Sequence, residues 1–144
     1  MSAADTAPSA FVDTNVLVYA FANDNVVRSP IAQDLLDRLM ADRSFRTSTQ
    51  VLQETFVTLT RKGERTVTAN EALAPLDLIA QFPLFQPDYA AIRAAAEFSA
   101  GHRLSFWDAL IIVSASRAGA TRLYTEDLQH GRTMLGVKIV NPFR

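Results

Sequence analysis

The chain has 144 residues, 49% hydrophobic and 20% charged, with a net charge of −1 and no cysteine. This length suits one globular domain that buries about two-thirds of its unfolded surface, and the composition excludes a disordered chain. The missing cysteines exclude disulfides, thiolate zinc sites and a cysteine nucleophile, and fit a reducing compartment such as the cytoplasm.

Residues 1–8 read as a flexible tail ahead of the fold. Met1 to Ala10 lacks the basic start and apolar stretch of a secretion signal. No run of about 18 apolar residues offers a membrane span. Ser9 to Asp13 reads as a short buried strand, and Val16, Leu17, Tyr19, Ala20 and Phe21 suit a packed helix after it. Ser29-Pro30 predicts a second helix, with serine as cap and proline at the first helical position. Ile31, Leu35, Leu36 and Leu39 form its apolar face. Phe45 to Thr47 reads as the next strand. Ser48 caps a third helix that carries Leu52, Thr55, Phe56 and Leu59 on one face and stops near Gly63.

Thr68-Ala69-Asn70-Glu71 has the spacing of a capping box and predicts a fourth helix. Pro83 ends that region, and Leu84-Phe85 suits a short strand. Pro87 begins an alanine-rich helix that closes near Gly101. Ser105 caps another, whose Ala109-Leu110-Ile111-Ile112-Val113 stretch is apolar on every side and so reads as buried. Gly119 ends it, and Arg122 to Thr125 and Val137 to Val140 read as strands. This alternation predicts a single α/β domain over residues 1–144, with a central parallel sheet of about four to five short strands and helices on both faces.

In a parallel sheet the strands end, and the following helices begin, at one edge, where ligands bind. Asp13 ends the first strand. Glu54 falls in the second turn of the helix after the second strand. Asp108 falls in the first turn of its helix, and Asp127 follows the strand Arg122 to Thr125. Four carboxylates distant in sequence therefore reach one rim. Singly, each has a plainer reading. Asp13 suits a helix N-cap, Glu54 a surface position and Asp108 a capping box with Ser105. Asp127 suits a cap of a short helix, and its neighbour Glu126 could take its role.

Together, like charges at one rim repel unless protonated or bound to a cation. An all-oxygen donor set suits Mg2+, or Mn2+, better than zinc. Such an ion can activate water for attack on a phosphodiester. With those four negative charges assigned to metal, the remainder of the chain carries +3. Arg61, Lys62 and Arg65 in one segment, and Arg117, Arg122 and Arg132 in others, allow a basic rim for a polyanion, though a solvated surface accounts for each singly.

The stretches Phe-Val-Asp-Thr-Asn-Val-Leu (11–17), Gln-Glu (53–54), Phe-Trp-Asp-Ala-Leu-Ile (106–111) and Tyr-Thr-Glu-Asp (124–127) resemble those of PIN-domain nucleases, and most closely the VapC-type toxins of toxin–antitoxin pairs. The resemblance runs from Phe11 to Phe143. It implies a metal-dependent endoribonuclease, a homodimer and inhibition by a cognate antitoxin. It also implies that Asp13, Glu54 and Asp108 are metal ligands, with Asp127 or Glu126 completing the site. Thr125 matches a hydroxyl residue beside the fourth acid, and Thr14 and Asn15 match the turn after the first.

The two histidines, His102 and His130, read as structural or surface groups, with His130 close enough to the acidic loop to touch substrate. Trp107 could stack on a base, but its place on an apolar helix favours the core. A haloacid-dehalogenase-type phosphatase also starts with an aspartate after its first strand, but it needs Asp-x-Asp, and Asn15 stands at the second position. A catalytically inactive RNA-binding module is the other alternative. A dinucleotide-binding module would need a glycine-rich turn after the first strand, which the sequence lacks.

Overall fold

In the computed structural model, residues 8–61 and 67–144 are described. Most of the expected tail, the helix stop at Gly63, and the cations Lys62 and Arg65 lie outside the described residues. The chain runs β1 (Ser9–Val12), α1 (Thr14–Ala22), α2 (Arg28–Ala41), β2 (Phe45–Ser48), α3 (Thr49–Arg61) and α4 (Ala69–Ile79). It continues through β3 (Leu84–Phe85), α5 (Tyr89–His102), α6 (Phe106–Arg117), β4 (Ala120–Tyr124), β5 (Thr133–Met134) and β6 (Val137–Val140).

The strands form one sheet in the order β3-β2-β1-β4-β6-β5, parallel throughout except for the β5–β6 pair. β1 is central. Its Ala10, Phe11 and Val12 are all fully buried, although successive side chains point to opposite faces. Both faces of the sheet are therefore covered there, as a parallel sheet requires. From β1 the chain winds outward through β2 and β3 on one side. It then returns to β4 and β6 on the other. The winding direction thus reverses between β1 and β4, and that reversal opens a crevice beyond the strand ends.

The main core joins sheet residues Phe11, Phe45, Leu123 and Ile139 to Leu17 of α1, Leu35, Leu36 and Leu39 of α2, and Ile112 of α6. A second cluster lies along the α5–α6 seam, where Ala91 and Ala95 face Ala109, Leu110 and Val113. Alanines let these two helix backbones approach closely.

Several expected boundaries shift for physical reasons. The sheet has six strands rather than four to five. β5 pairs antiparallel to β6 through the two-residue turn Leu135-Gly136, both at positive φ (50° and 78°). That backbone suits a tight hairpin, but Leu-Gly lacks the usual Asn-Gly or Asp-Gly signal. Ser29 does not cap α2. It lies buried in the first turn, and the Asn25 carboxamide oxygen accepts from the amides of Val27 and Arg28 (3.1 and 2.8 Å). α5 starts at an Asp88 cap instead of Pro87. It runs past Gly101 to His102, and Arg103 takes the left-handed conformation that ends it. The capping box at Thr68 and Glu71 forms as expected, as do the Ser105 cap and the buried Ala109–Val113 stretch.

Candidate active site

The crevice at the β1–β4 reversal is where the acidic residues meet. The Asp13 amide donates to the Tyr124 carbonyl (3.0 Å), and the Thr125 amide donates to the Val140 carbonyl (3.1 Å). These bonds extend the ladder by one step and set Asp13 and Thr125 side by side. Asp13 is also the N-cap of α1, its Oδ1 accepting from the Thr14 amide at 2.7 Å. Its Oδ2 accepts from the Thr125 hydroxyl at 2.9 Å. The side chain is 7% exposed. Burial raises its pKa to about 6, against the lowering effect of the two hydrogen bonds, and the charges of Asp127 and Glu54 push it up further.

The other acids are held by short polar side chains. Glu54 accepts from the Thr14 hydroxyl at 3.0 Å. Asp127 accepts from the Asn15 amide nitrogen at 2.9 Å, and that nitrogen also donates to the Thr125 hydroxyl oxygen at 3.2 Å. The Asp127 amide donates to the same oxygen at 3.2 Å, so Thr125 ties the first acid to the last. Asp108, in the first turn of α6, is positioned through its amide, which donates to Ser105 Oγ at 3.0 Å. Asp13, Glu54, Asp108 and Asp127 all line one cavity of about 540 Å3.

Glu126 has a different environment. It accepts from the Tyr19 hydroxyl (2.6 Å) and from Arg28 Nε (3.0 Å), and does not line the cavity. Tyr19 and Phe143 meet edge to face (5.2 Å between ring centres), and the Arg28 guanidinium packs beside the pair, 5.7 and 5.6 Å from their centres. The cluster anchors the loop from which Asp127 projects.

The donor set is entirely carboxylate, so in kind it fits a hard dication. Among the described residues, however, no three acidic or histidine side chains are already gathered closely enough to hold an ion. The convergence is that of a shared cavity, with like charges spread along its walls.

The remaining expectations divide. Arg61 lines the cavity, whereas Arg117, Arg122 and Arg132 do not. His102 stacks on Phe98 (3.9 Å between ring centres), and His130 Nδ1 accepts from the Asn141 amide (2.9 Å), so both have structural partners. Asn15 uses its amide to hold the 125–127 loop and has no proton to offer as an acid, which leaves a haloacid-dehalogenase-type site without its second aspartate. Trp107 is not in the core. It is 61% exposed and lines the cavity, because it stands in the first turn of α6, ahead of the stretch Ala109–Ala115 that is buried on every side.

The PIN domain family matches residues 10–133, most of the chain. The chain belongs to the PIN-domain family. Two solved structures share this PIN fold. One is VapC20 of Mycobacterium tuberculosis, described as a sarcin-ricin loop cleaving toxin. It is 23% identical, with a TM-score of 0.66 over 83% of this chain and 90% of that one. The other is VapBC2 of Rickettsia felis, bound to a DNA fragment from its promoter. It is 16% identical, with a TM-score of 0.63 over 90% of this chain and 96% of that one. No curated protein matches the sequence.

Sequence reasoning missed Gln50 in the wall of the PIN cavity. Gln50 lies one turn before Glu54 on α3, and this i, i+4 spacing was the available signal. Tyr19, a packing residue by its place in the apolar pattern, lines the cavity and also holds Glu126. Among the described residues, no helix is long and apolar enough to cross a membrane.

Proposed function

We propose that this PIN domain is a metal-dependent endoribonuclease that hydrolyses RNA phosphodiesters, and that it is the toxin of a toxin–antitoxin pair acting in the cytoplasm. The observation that carries the reading is the single cavity at the β1–β4 reversal, lined by Asp13, Glu54, Asp108 and Asp127. The structural likeness to VapC20 supports RNA as substrate, and the likeness to VapBC2 supports a cognate antitoxin as partner. A homodimer is proposed on the same footing.

In this reading Asp13, Glu54, Asp108 and Asp127 hold Mg2+ or Mn2+. When bound, the ion supplies Lewis acidity and lowers the pKa of a water for attack on phosphorus. Thr125 and Asn15 fix the carboxylates of Asp13 and Asp127, and Thr14 fixes that of Glu54. Such supporting hydrogen bonds orient metal ligands and hold them in their ionised form. Arg61, at the cavity lining, meets the phosphate backbone. Glu126 serves as a positioning group for the loop, and Asp127 is the fourth acid.

The test is cleavage of total cellular RNA by the purified protein, with cut sites mapped for wild type beside Asp13→Asn. Mg2+ or Mn2+ should support cutting, EDTA should stop it, and the variant should be inactive. Full activity in Asp13→Asn, or cutting that persists in EDTA, would overturn the proposal. Robust, Asp13-dependent hydrolysis of p-nitrophenyl phosphate would instead point to phosphatase chemistry.

A further inference from the structure

The acids account for only part of the cavity wall. The rest includes the apolar side chains of Val18, Val57 and Ile111, with the open ring of Trp107 beside Asp108. Val57 and Trp107 are 43% and 61% exposed, so the cavity mouth presents apolar surface to water directly beside a cluster of carboxylates. A site that held only metal and phosphate would have no use for that surface. Gln50 adds a second observation. It is 8% exposed and lines the same cavity, and its Oε1 is buried with no hydrogen-bond partner among the described residues. A buried amide oxygen left unpaired is unfavourable unless something completes it. A half-turn of the terminal amide exchanges acceptor for donor, so the group can pair with either.

An aromatic face open to solvent, and a carboxamide lacking a partner, together match the two faces of an unpaired nucleobase. The ring stacks, and the amide pairs with the base edge. We infer that Trp107 and Gln50 form a base-binding subsite beside the acids, in which one unstacked base of single-stranded RNA rests on the indole while Gln50 selects among bases. The inference rests on the nuclease reading, since it assigns the substrate's neighbouring base to the same cavity. Trp107 governs binding, and Gln50 governs preference.

Trp107 is the only tryptophan in the chain, so its fluorescence reports this subsite alone. The probe is a mixed-sequence single-stranded RNA heptamer, titrated into wild-type protein with Ca2+ in place of Mg2+. Binding is followed in parallel by anisotropy of a dye on the RNA. An abasic ribose-phosphate heptamer of the same charge is the control. Stacking predicts saturable quenching by the RNA and none by the abasic control.

In Mg2+, Trp107→Ala should raise KM by about 5- to 150-fold, the usual effect of losing one stacked base, with kcat changed much less. Trp107→Phe should restore most of the loss. Gln50→Leu should flatten base preference at one position beside the cut, read from kcat/KM for heptamers that differ only in that base. Thermal melts identify a variant that fails to fold, and the fluorescence titration of the wild-type protein against the abasic control then carries the test.

RNA binding seen by anisotropy without quenching, or equal quenching by the abasic control, overturns the subsite. So does an unchanged KM in Trp107→Ala, which would assign the exposed ring to a protein partner instead. Base-dependent quenching with no RNA cleavage in Mg2+ would overturn the nuclease reading while leaving the subsite standing.

Discussion

Asp13 is the residue on which the site turns, and its position is thermodynamically unfavourable. A carboxylate 7% exposed, with its pKa raised to about 6, resists ionisation in the folded state. The unfolded chain releases this proton near pH 4 and the folded chain near pH 6, so in that window the folded state holds the extra proton. Stability from this group is therefore full below about pH 4, falls as pH rises to about 6, and stays low above it. The shift from 3.8 to about 6 corresponds to at most about 3 kcal/mol. In EDTA at pH 7.5, Asp13→Asn should thus melt about 5 °C or more above wild type, and the gap should close by pH 4. Calorimetry across that range checks it, and a variant no more stable than wild type would show that burial is not costly here. Added Mg2+ should raise the melting temperature of wild type only. At the loop after β4, Glu126→Gln should keep cleavage within a few-fold of wild type. Asp127→Asn should lose at least about 100-fold, as expected for a group that acts on the reacting centre. Adjacent acids could not be told apart from sequence, because only the packing of Tyr19 and Arg28 against Glu126 separates them.

At the level of elements, helix starts were more legible than helix ends. Ser105 and Thr68 carry side chains that reach back to backbone amides three residues on, a pattern visible in sequence. The end of α5 falls one residue past the expected Gly101, because Arg103 adopts the left-handed conformation while Gly101, two residues earlier, remains helical. The start of α2 depends on Asn25, outside the helix, and β5 depends on a turn whose leucine is unusual at positive φ. The α5–α6 seam makes a direct prediction about packing. Ala91 and Ala95 are fully buried against the helix that carries Asp108, with no room for a longer side chain. Ala95→Leu should cost about 1–3 kcal/mol through overpacking. A lower urea midpoint with an unchanged m-value would confirm it.

For the molecule as a whole, alternating strand and helix patterns were enough to foresee a parallel sheet and the edge at which the acids meet. The sequence could not reveal how closely they meet. Side-chain placement at that edge depends on the hydroxyl and amide groups of Thr125, Asn15 and Thr14, which come from two separated segments. Nor does a net charge of −1 describe the surface that RNA would meet, since acids concentrated in one cavity leave positive charge elsewhere. Among the described residues, Arg61 is the cation that lines the cavity. Arg61→Gln should flatten the slope of log K against log salt by about 0.7, the value for one phosphate contact on a single strand. Anisotropy titrations at several KCl concentrations measure this, and an unchanged slope would remove Arg61 from the interface. The sheet order also bears on when, during synthesis, the site can form. β1 is made first, and its neighbour β4 emerges more than a hundred residues later. A nascent chain that ends before residue 120 lacks β4, Thr125 and Asp127, so Asp13 has no hydroxyl partner and the cavity no fourth acid until that part of the domain has been made.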